Sequence, residues 1–515
     1  MKLSDLIAAM APGSVHSSAP ACAGQSDPEI TGVHYRSDRV PPGGVFVALP
    51  GQNANGHDFA ADAVARGAAA VVVQRSMDLD ACVVVVENTR QALAQAAAAF
   101  YRHPANKLTL IGITGTNGKT TTACLLEHIL QSHGLCTGLI GTLNYHYAGK
   151  TVKSGLTTPE ASDLQHLLAD MADAGVTHVI IEVSSHGVVL DRIAQCSFAI
   201  GVFTNLSQDH LDFHEDMAHY WAAKKRFFTD YLQGENAAAV INMDDARARE
   251  LDDALAGIRR VRVGFGNAAR IRPSGLEFDA GGISGQLQLA DKAVSFHSPL
   301  VGRFNLENIL CAAGAAEALE IAPETIARGI ETFASVPGRL ERVANTLDRH
   351  VFVDFSHTPA ALENVLAALR RTGSGRLVCI FGCGGDRDRA KRPLMGEIAG
   401  KYADLAVVTS DNPRTEAPEK IIEDIVAGMH DFTRVAPESL GPDFAPATFT
   451  VEPDRRQAIR VGIRVSRPGD AILIAGKGHE TYQVIGNTTV AFDDRVEAEQ
   501  VLSWGMNDVV DTVDD

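Results

Sequence analysis

Residues 112–122 read GITGTNGKTTT, with glycines at Gly112, Gly115 and Gly118 and the pair Lys119–Thr120 directly after them. Glycines so placed free the intervening N–H groups to converge on one anion. A lysine ammonium then neutralises phosphate oxygens, and a hydroxyl at the next position suits magnesium. The usual phosphate-loop spacing puts a glycine where this chain has Ile113, so the stretch reads as a loop of different register. Glu182 closes the apolar run HVIIE, a place from which a carboxylate shares a cation with Thr120. QDHLDFH groups Asp209, His210 and His214 at spacings open to metal binding. On residue types alone, Lys224 beside Lys225 and Arg226 reads as a surface lysine, and DNPR at 411–414 as a proline turn.

These groups need strands and helices to hold them. The loop at 115–118 lies between the apolar run LTLIGIT and the helical pattern ACLLEHIL, so it joins a strand to a helix N-terminus. The runs HVIIEVS, AIGVFTN and AAVINMD, separated by helical stretches, repeat the βαβ rhythm of a parallel sheet. VFVDFS, RLVCIFG, LAVVTSD and AILIAG repeat it again after residue 337, and each of those runs ends in a polar or glycine-rich turn. Ligands of open parallel sheets bind beyond the carboxyl ends of the strands, which makes those turns the place for chemistry. Residues 258–300 read as antiparallel strands, and 30–100 as a small α/β unit.

The chain has 515 residues, and at about 100–200 residues per domain this implies several domains. The predicted boundaries are 1–103, 104–336 and 337–515: a small N-terminal α/β domain, a central phosphate-loop domain with a parallel sheet, and a C-terminal Rossmann-like domain. A net charge of −17, from 46 Lys+Arg and 63 Asp+Glu, offers no global field for nucleic acid or an anionic membrane. No apolar run approaches the roughly 20 residues of a membrane span. The eight cysteines form no CxxC pair, which points to reduced thiols in a cytoplasmic protein. The N-terminus MKLSDLIAAM spaces Leu3, Leu6, Ile7 and Met10 as a short amphipathic helix and lacks the apolar block of a signal peptide.

TGTNGKTT resembles the ATP loop of the Mur ligases, the amide-forming enzymes of peptidoglycan precursor synthesis, a group that also resembles folylpolyglutamate synthetase. TTPEA at 157, EVSSHG at 182, NLSQDHLDFH at 205, YWAAKKRFF at 220, GRFNLENILCAAGAA at 302, PGRLERV at 337, DFSHTP at 354, FGCGGDRDRAKRP at 381, SDNPR at 410 and AGKGHE at 475 continue the resemblance in order. They are similar to the branch that adds meso-diaminopimelate to UDP-N-acetylmuramoyl-L-alanyl-D-glutamate with ATP and Mg²⁺. Such a reaction phosphorylates a carboxylate and lets an amine displace the phosphate, so the protein chiefly positions groups and neutralises charge.

The resemblance implies a role for each matching residue. Gly115, Thr116, Asn117, Gly118, Lys119, Thr120 and Thr121 would cradle ATP, with Asn305 or Asn308 toward the adenine and Arg339, Asp354 and His357 closing over it. Thr120, Glu182, His210 and Lys224 would serve Mg²⁺, Lys224 as a carbamate. Thr157, Thr158, Ser184 and Arg192 would hold the muramoyl peptide, with Ser37 and GQNANGH at 51–57 near the uridine. RSDR stands where DSR is usual, and Asn55 where Asp is common. Arg387, Asp411, Asn412, Pro413, Arg414, Gly476 and Glu480 would bind diaminopimelate, the Arg414 fork pairing with the distal carboxylate that lysine lacks. The expected protein is a cytoplasmic monomer with small-molecule partners. The rival expectations are L-lysine addition, a folate-type polyglutamylating ligase, and a binding protein that uses the phosphate loop as a switch.

Overall fold

Runs of β-branched residues become strands buried on both faces, the mark of parallel sheets covered by helices: Val179, Ile180 and Ile181 are each 0% exposed. The computed structural model describes residues 1–10, 16–17, 27–51, 54–211, 213–289, 292–373 and 375–503. Cys22 and residues 52–53 of the GQNANGH stretch lie outside the described residues. The chain forms two compact units. One runs from the N-terminus through Arg272 and regains Asn308–Ile326; the other holds Pro273–Gln288, Lys292–Glu307 and the chain from Ala327 onward.

The first unit contains two sheets. Strands β1 (His16–Ser17), β2 (Val33–His34), β3 (Val45–Val47), β4 (Ala70–Val73) and β5 (Cys82–Val85) form a sheet in the order β1-β5-β4-β3-β2, parallel except for β1. The helix Leu3–Ala9 buries Leu3 and Leu6, as its spacing predicts. Strands β6 (Thr109–Thr114), β7 (Thr137–Ile140), β8 (Asn144–Tyr147), β9 (Lys150–Lys153), β10 (His178–Glu182), β11 (Ile200–Phe203), β12 (Ala238–Asn242) and β13 (Arg259–Val263) form the second, ordered β13-β12-β11-β6-β10-β7-β8-β9. From β13 to β7 it is parallel, so β6 stands between β10 and β11 and all three present their carboxyl ends together.

Gly112, the glycine that breaks the usual spacing, belongs to the packing of β6. A Cβ there would come within 2.4 Å of the Phe227 ring. Phe227 directly follows the helix Met217–Arg226, so this close approach seats that helix against the strand leading into the loop.

The second unit contains most of a three-stranded sheet, β14 (Arg272–Asp279), β15 (Gly282–Leu289) and β16 (Lys292–Ser298). Its main sheet comprises β17 (Glu341–Val343), β18 (His350–Asp354), β19 (Leu377–Phe381), β20 (Leu405–Val408), β21 (Thr433–Arg434), β22 (Thr448–Val451) and β23 (Ala471–Ala475), ordered β17-β18-β23-β19-β20-β22-β21. Only the edge strand β17 is antiparallel. The turns after β18, β23, β19 and β20 therefore open on one side of four neighbouring strands. A hairpin of β24 (Tyr482–Ile485) and β25 (Thr488–Ala491) follows.

Six cysteines are free thiols, four of them buried: Cys196, Cys311, Cys379 and Cys383. Cys82 is disulfide-bonded, against the expectation of reduced thiols throughout; the absence of a CxxC pair says nothing about bridges between distant cysteines. Among the described residues no helix is long and apolar enough to cross a membrane.

Candidate active site

The loop after β6 is built by two glycines in conformations that L side chains avoid, Gly115 at φ 150° and Gly118 at φ 84°. A Cβ on Gly115 would strike the Thr204 hydroxyl and one on Gly118 the Asn308 amide oxygen, so both neighbours also require glycine. The segment after β11 braces the loop from the side. Asn205 Oδ1 accepts the Asn117 N–H at 2.9 Å, the Thr204 hydroxyl donates to the Asn117 carbonyl at 2.7 Å, and Thr116 donates its hydroxyl to the Ser207 carbonyl at 3.1 Å. Lys119 and Thr120 open the helix Lys119–Ser132, and Thr121 is buried in its first turn. Lys119 Nζ donates to the Gly115 and Thr116 carbonyls at 2.9 and 2.8 Å. Loop N–H groups at a helix N-terminus, with that lysine, are the equipment for a polyphosphate.

Lys224 is the largest surprise for a residue-type reading. It is 1% exposed, not a surface lysine. Its Nζ donates to the Gly115 carbonyl at 2.8 Å, the same oxygen that Lys119 uses, and lies 4.3 Å from the centre of the Tyr220 ring. Burial, together with the Lys119 charge, holds its pKa well below the ordinary lysine value, with Asp209 opposing only in part. The amine is thereby disposed to be neutral and nucleophilic. Tyr220 is 1% exposed, its hydroxyl 3.2 Å from Thr116 Oγ1, and burial pushes its phenol up to about 12.

Glu182, at the end of β10, is 1% exposed. Its carboxylate accepts the Thr120 hydroxyl at 2.9 Å, the Thr142 N–H at 2.9 Å and the Thr142 hydroxyl at 3.0 Å. Among the described residues no group of three or more His, Cys, Asp or Glu side chains is placed to hold a metal. The oxygens of Thr120 and Glu182 nonetheless fit Mg²⁺, which takes one or two protein oxygens and completes its shell with water and substrate phosphate. His210 is not joined to Glu182 by any contact among the described residues. At φ 55° it pairs with Asp209 at 3.5 Å and meets the rings of His186 and Tyr220 edge-on at 5.1 and 6.1 Å.

Thr157, Thr158, Ser184 and Arg192 do come together. Thr142 Oγ1 lies 3.1 Å from Thr157 Oγ1; Thr158 donates to the Glu182 carbonyl at 2.7 Å and lies 3.1 Å from Ser184 Oγ. Ser184 caps the helix Ser185–Val189. Arg192 reaches the Thr158 carbonyl at 3.2 Å, and its Nε donates to Glu160 at 2.9 Å. Ser37 is elsewhere, in the turn after β2, where its hydroxyl bonds Asp62. Asn55 Oδ1 accepts from His57 Nδ1 at 2.8 Å, and His57 Nε2 accepts the Gln74 N–H at 2.9 Å, which fixes a neutral imidazole. Asn308 is 4% exposed; Asn305, 3% exposed, is tied to the Val301 carbonyl at 2.8 Å.

In the second unit, the remaining predicted residues fall at the four adjacent strand ends, except Arg339, which precedes β17. Asp354 ends β18 and accepts the Leu340 N–H at 2.6 Å, the Ser356 N–H at 2.8 Å and the Ser356 hydroxyl; burial still raises its carboxyl. Arg339 lies over the Phe355 ring at 4.8 Å, and His357 meets that ring at 4.6 Å. Burial lowers the His357 imidazole. Arg387 is exposed after β19. After β20, Arg414 stands at φ 52°, and its guanidinium uses a single nitrogen, Nη1, on the Gly385 and Asn412 carbonyls at 2.8 and 3.5 Å. The rest of the fork is open to a carboxylate. Pro413 is buried. Asn412 donates to Glu480 at 2.9 Å, and Gly476, at φ 117°, lets Asp411 approach where a Cβ would lie 2.9 Å from Oδ2.

The residue-type reading missed Thr142, Glu160, Tyr220 and Lys477. Tyr220 stands four residues before Lys224, one helical turn, so the helix period carried a signal. Thr142 carried none.

The family described as Mur ligase middle domain matches residues 113–316, that described as Mur ligase, glutamate ligase domain matches 338–478, and that described as Mur ligase family, catalytic domain matches 29–101. The chain is 45% identical over 478 residues to the UDP-N-acetylmuramoyl-L-alanyl-D-glutamate–2,6-diaminopimelate ligase of Geobacter metallireducens, covering 91% of this chain and 93% of that one. It is 43% identical over 513 residues to the ligase of the same name from Trichormus variabilis, covering 98% and 99%. A solved structure of a ligase of that name superposes with a TM-score of 0.68 at 31% identity, over 95% of this chain and 99% of that one.

Proposed function

The chain belongs to the Mur ligase family, and from that premise we propose that it adds meso-2,6-diaminopimelate to UDP-N-acetylmuramoyl-L-alanyl-D-glutamate with ATP, in peptidoglycan precursor synthesis. The observation that carries the reading beyond the family is the partly used guanidinium of Arg414 on the same turn as the buried carboxylate of Asp411, a fit for an amino acid end bearing both charges. L-Lysine would leave that fork unpaired.

The assigned domains are 1–103 for the UDP end, 104–336 for ATP and 337–515 for the amino acid. Residues Gly115–Thr121 hold the triphosphate, with Lys119 offsetting charge on its terminal oxygens. Thr120 and Glu182 would hold one Mg²⁺, and His210 and the Lys224 carbamate would serve a second; the ions would offset phosphate charge. The neutral Lys224 amine adds CO₂ and loses a proton, which turns the side chain into a carbamate anion. Asn308, Arg339, Asp354 and His357 complete the ATP contacts. Ser37, Thr157, Thr158, Ser184 and Arg192 hold the nucleotide-peptide so that an oxygen of the D-glutamyl carboxylate attacks the terminal phosphorus and ADP departs. An amine of diaminopimelate, held by Arg387, Asp411–Arg414, Gly476 and Glu480, attacks the acyl carbon; phosphate leaves with the former carboxylate oxygen, and the amine proton is lost. The protein works as a monomer in the cytoplasm.

The test is isotopic. With ¹⁸O in the D-glutamyl carboxylate, one labelled oxygen should appear in each orthophosphate released; unlabelled phosphate would rule out the acyl phosphate.

A further inference from the structure

The second unit buries a lysine that the assignment above does not use. Lys477, in the turn after β23, is 0% exposed. Its Nζ lies 3.3 Å from Glu480 Oε2, 3.8 Å from Asp411 Oδ1 and 3.3 Å from Asn412 Oδ1, with the Tyr482 ring centre at 5.6 Å. Every one of these partners either lies in the proposed amino acid site or flanks it. Asp411 is 6% exposed, and its Oδ1 makes no hydrogen bond, so the oxygen is a buried acceptor still open to a donor.

The charges around Lys477 balance. Asp411, Glu480 and Asp494 are the anions; Lys477, Arg414 and Arg455 are the cations. Arg455 and Asp494 form a fully buried two-bond pair at 2.7 Å and cancel each other. Of the other titratable groups facing Asp411, His357 is held toward its neutral form by burial, as are the Cys383 thiol and the Tyr482 phenol. What is left is one lysine set against two carboxylates, and one arginine with part of its fork free. Around Lys477, where the nearest charges balance and Arg387 stays out in solvent, an added zwitterion leaves no unpaired charge, whereas an added cation does.

We infer that Lys477 is a specificity-determining positioning residue. By neutralising one of the two carboxylates it leaves a balanced pocket that takes a zwitterionic amino acid end and rejects a bare ammonium. The inference rests on the proposed diaminopimelate site and adds a second reason for excluding lysine. Arg414 goes unpaired when lysine binds, and Lys477 denies the lysine side chain the surplus negative charge that would compensate. Asn412 is held by the same ammonium, which keeps the turn after β20 in place.

The experiment compares orthophosphate release with diaminopimelate and with L-lysine in wild type, Lys477→Met and Lys477→Arg. In Lys477→Met, the ratio of kcat/KM for diaminopimelate over lysine should fall about tenfold or more, with KM for ATP unchanged. Lys477→Arg, which keeps the charge, should hold the ratio within about threefold of wild type. A merely structural lysine would lower both substrates by the same factor, and an unchanged ratio overturns the inference while leaving the reaction itself intact. Should Lys477→Met fail to fold, Lys477→Gln removes the charge while keeping a donor for Asn412 and Glu480 and should lower the ratio in the same way; no movement there overturns the inference equally. A wild-type protein inactive with both amino acids would overturn the functional reading along with it.

Discussion

Two lysines of this chain are sealed from solvent, Lys224 at 1% exposure and Lys477 at 0%, yet their surroundings differ in kind. Lys224 meets a carbonyl oxygen, a tyrosine ring and the charge of a second lysine, so burial acts on it almost unopposed and favours the neutral amine. Lys477 meets two carboxylates and an amide oxygen. Burial does not decide what a lysine does; its partners do. In this protein one buried lysine is disposed to react, and the other to balance charge.

The comparison is broken most severely at Lys224. Lys224→Ala should lower phosphate release by about two to three orders of magnitude, with partial recovery on adding a short-chain carboxylic acid that replaces the carbamate. Full activity in the plain variant would remove the chemical role given to that amine. Next comes Arg414→Ala, expected to cost about a hundredfold in kcat/KM for diaminopimelate while KM for ATP stays put. Unchanged use of diaminopimelate would deny the fork its part.

Melting temperatures sharpen the contrast by sign. Lys224 has a folded value below its unfolded 10.5, so the folded state binds fewer protons there and stability from this group rises with pH up to 10.5. Below that window its burial is a net cost. In buffer free of bicarbonate and metal at neutral pH, Lys224→Met should therefore raise the melting temperature by roughly 2–5 °C, and Lys477→Met, which orphans two carboxylates, should lower it by at least as much. Shifts of equal sign would show that the two sites are not opposites.

The smallest effect lies at His57. Burial, with Arg75 nearby, lowers its imidazole from 6.5, so the wild type loses stability as pH falls below 6.5 through the folded value. Asn55→Asp should raise that imidazole by roughly one unit, read from its NMR titration, and reduce the loss in acid. No movement would mean that a carboxylate partner does not govern protonation at this site.

The sheets and the phosphate loop were legible because β-branched runs, helical periods and glycines act locally. The strands read from LTLIGIT, HVIIEVS, AIGVFTN and AAVINMD pair in parallel, as their spacing implies. Gly112 was visible as a glycine, but its cause, the Phe227 ring against β6, depends on a residue 115 positions later. Residue types alone make Lys224 a surface lysine where the resemblance makes it a site residue, because sequence adjacency places residues on different helix faces while Tyr220, one turn away, shares its own. Lys477, within AGKGHE, carries no local signal, since Asp411 reaches it only through the order of β20, β19 and β23 in the sheet. The engagement of Arg192 with Glu160 and the disulfide at Cys82 likewise rest on tertiary proximity that no local pattern carries.

The most direct test of the account is orthophosphate release by the purified protein with ATP, Mg²⁺, bicarbonate and UDP-N-acetylmuramoyl-L-alanyl-D-glutamate, measured with no amino acid, with L-lysine and with meso-diaminopimelate. The account predicts sustained release only with meso-diaminopimelate. Release that ignores the amino acid, or favours lysine, would contradict it.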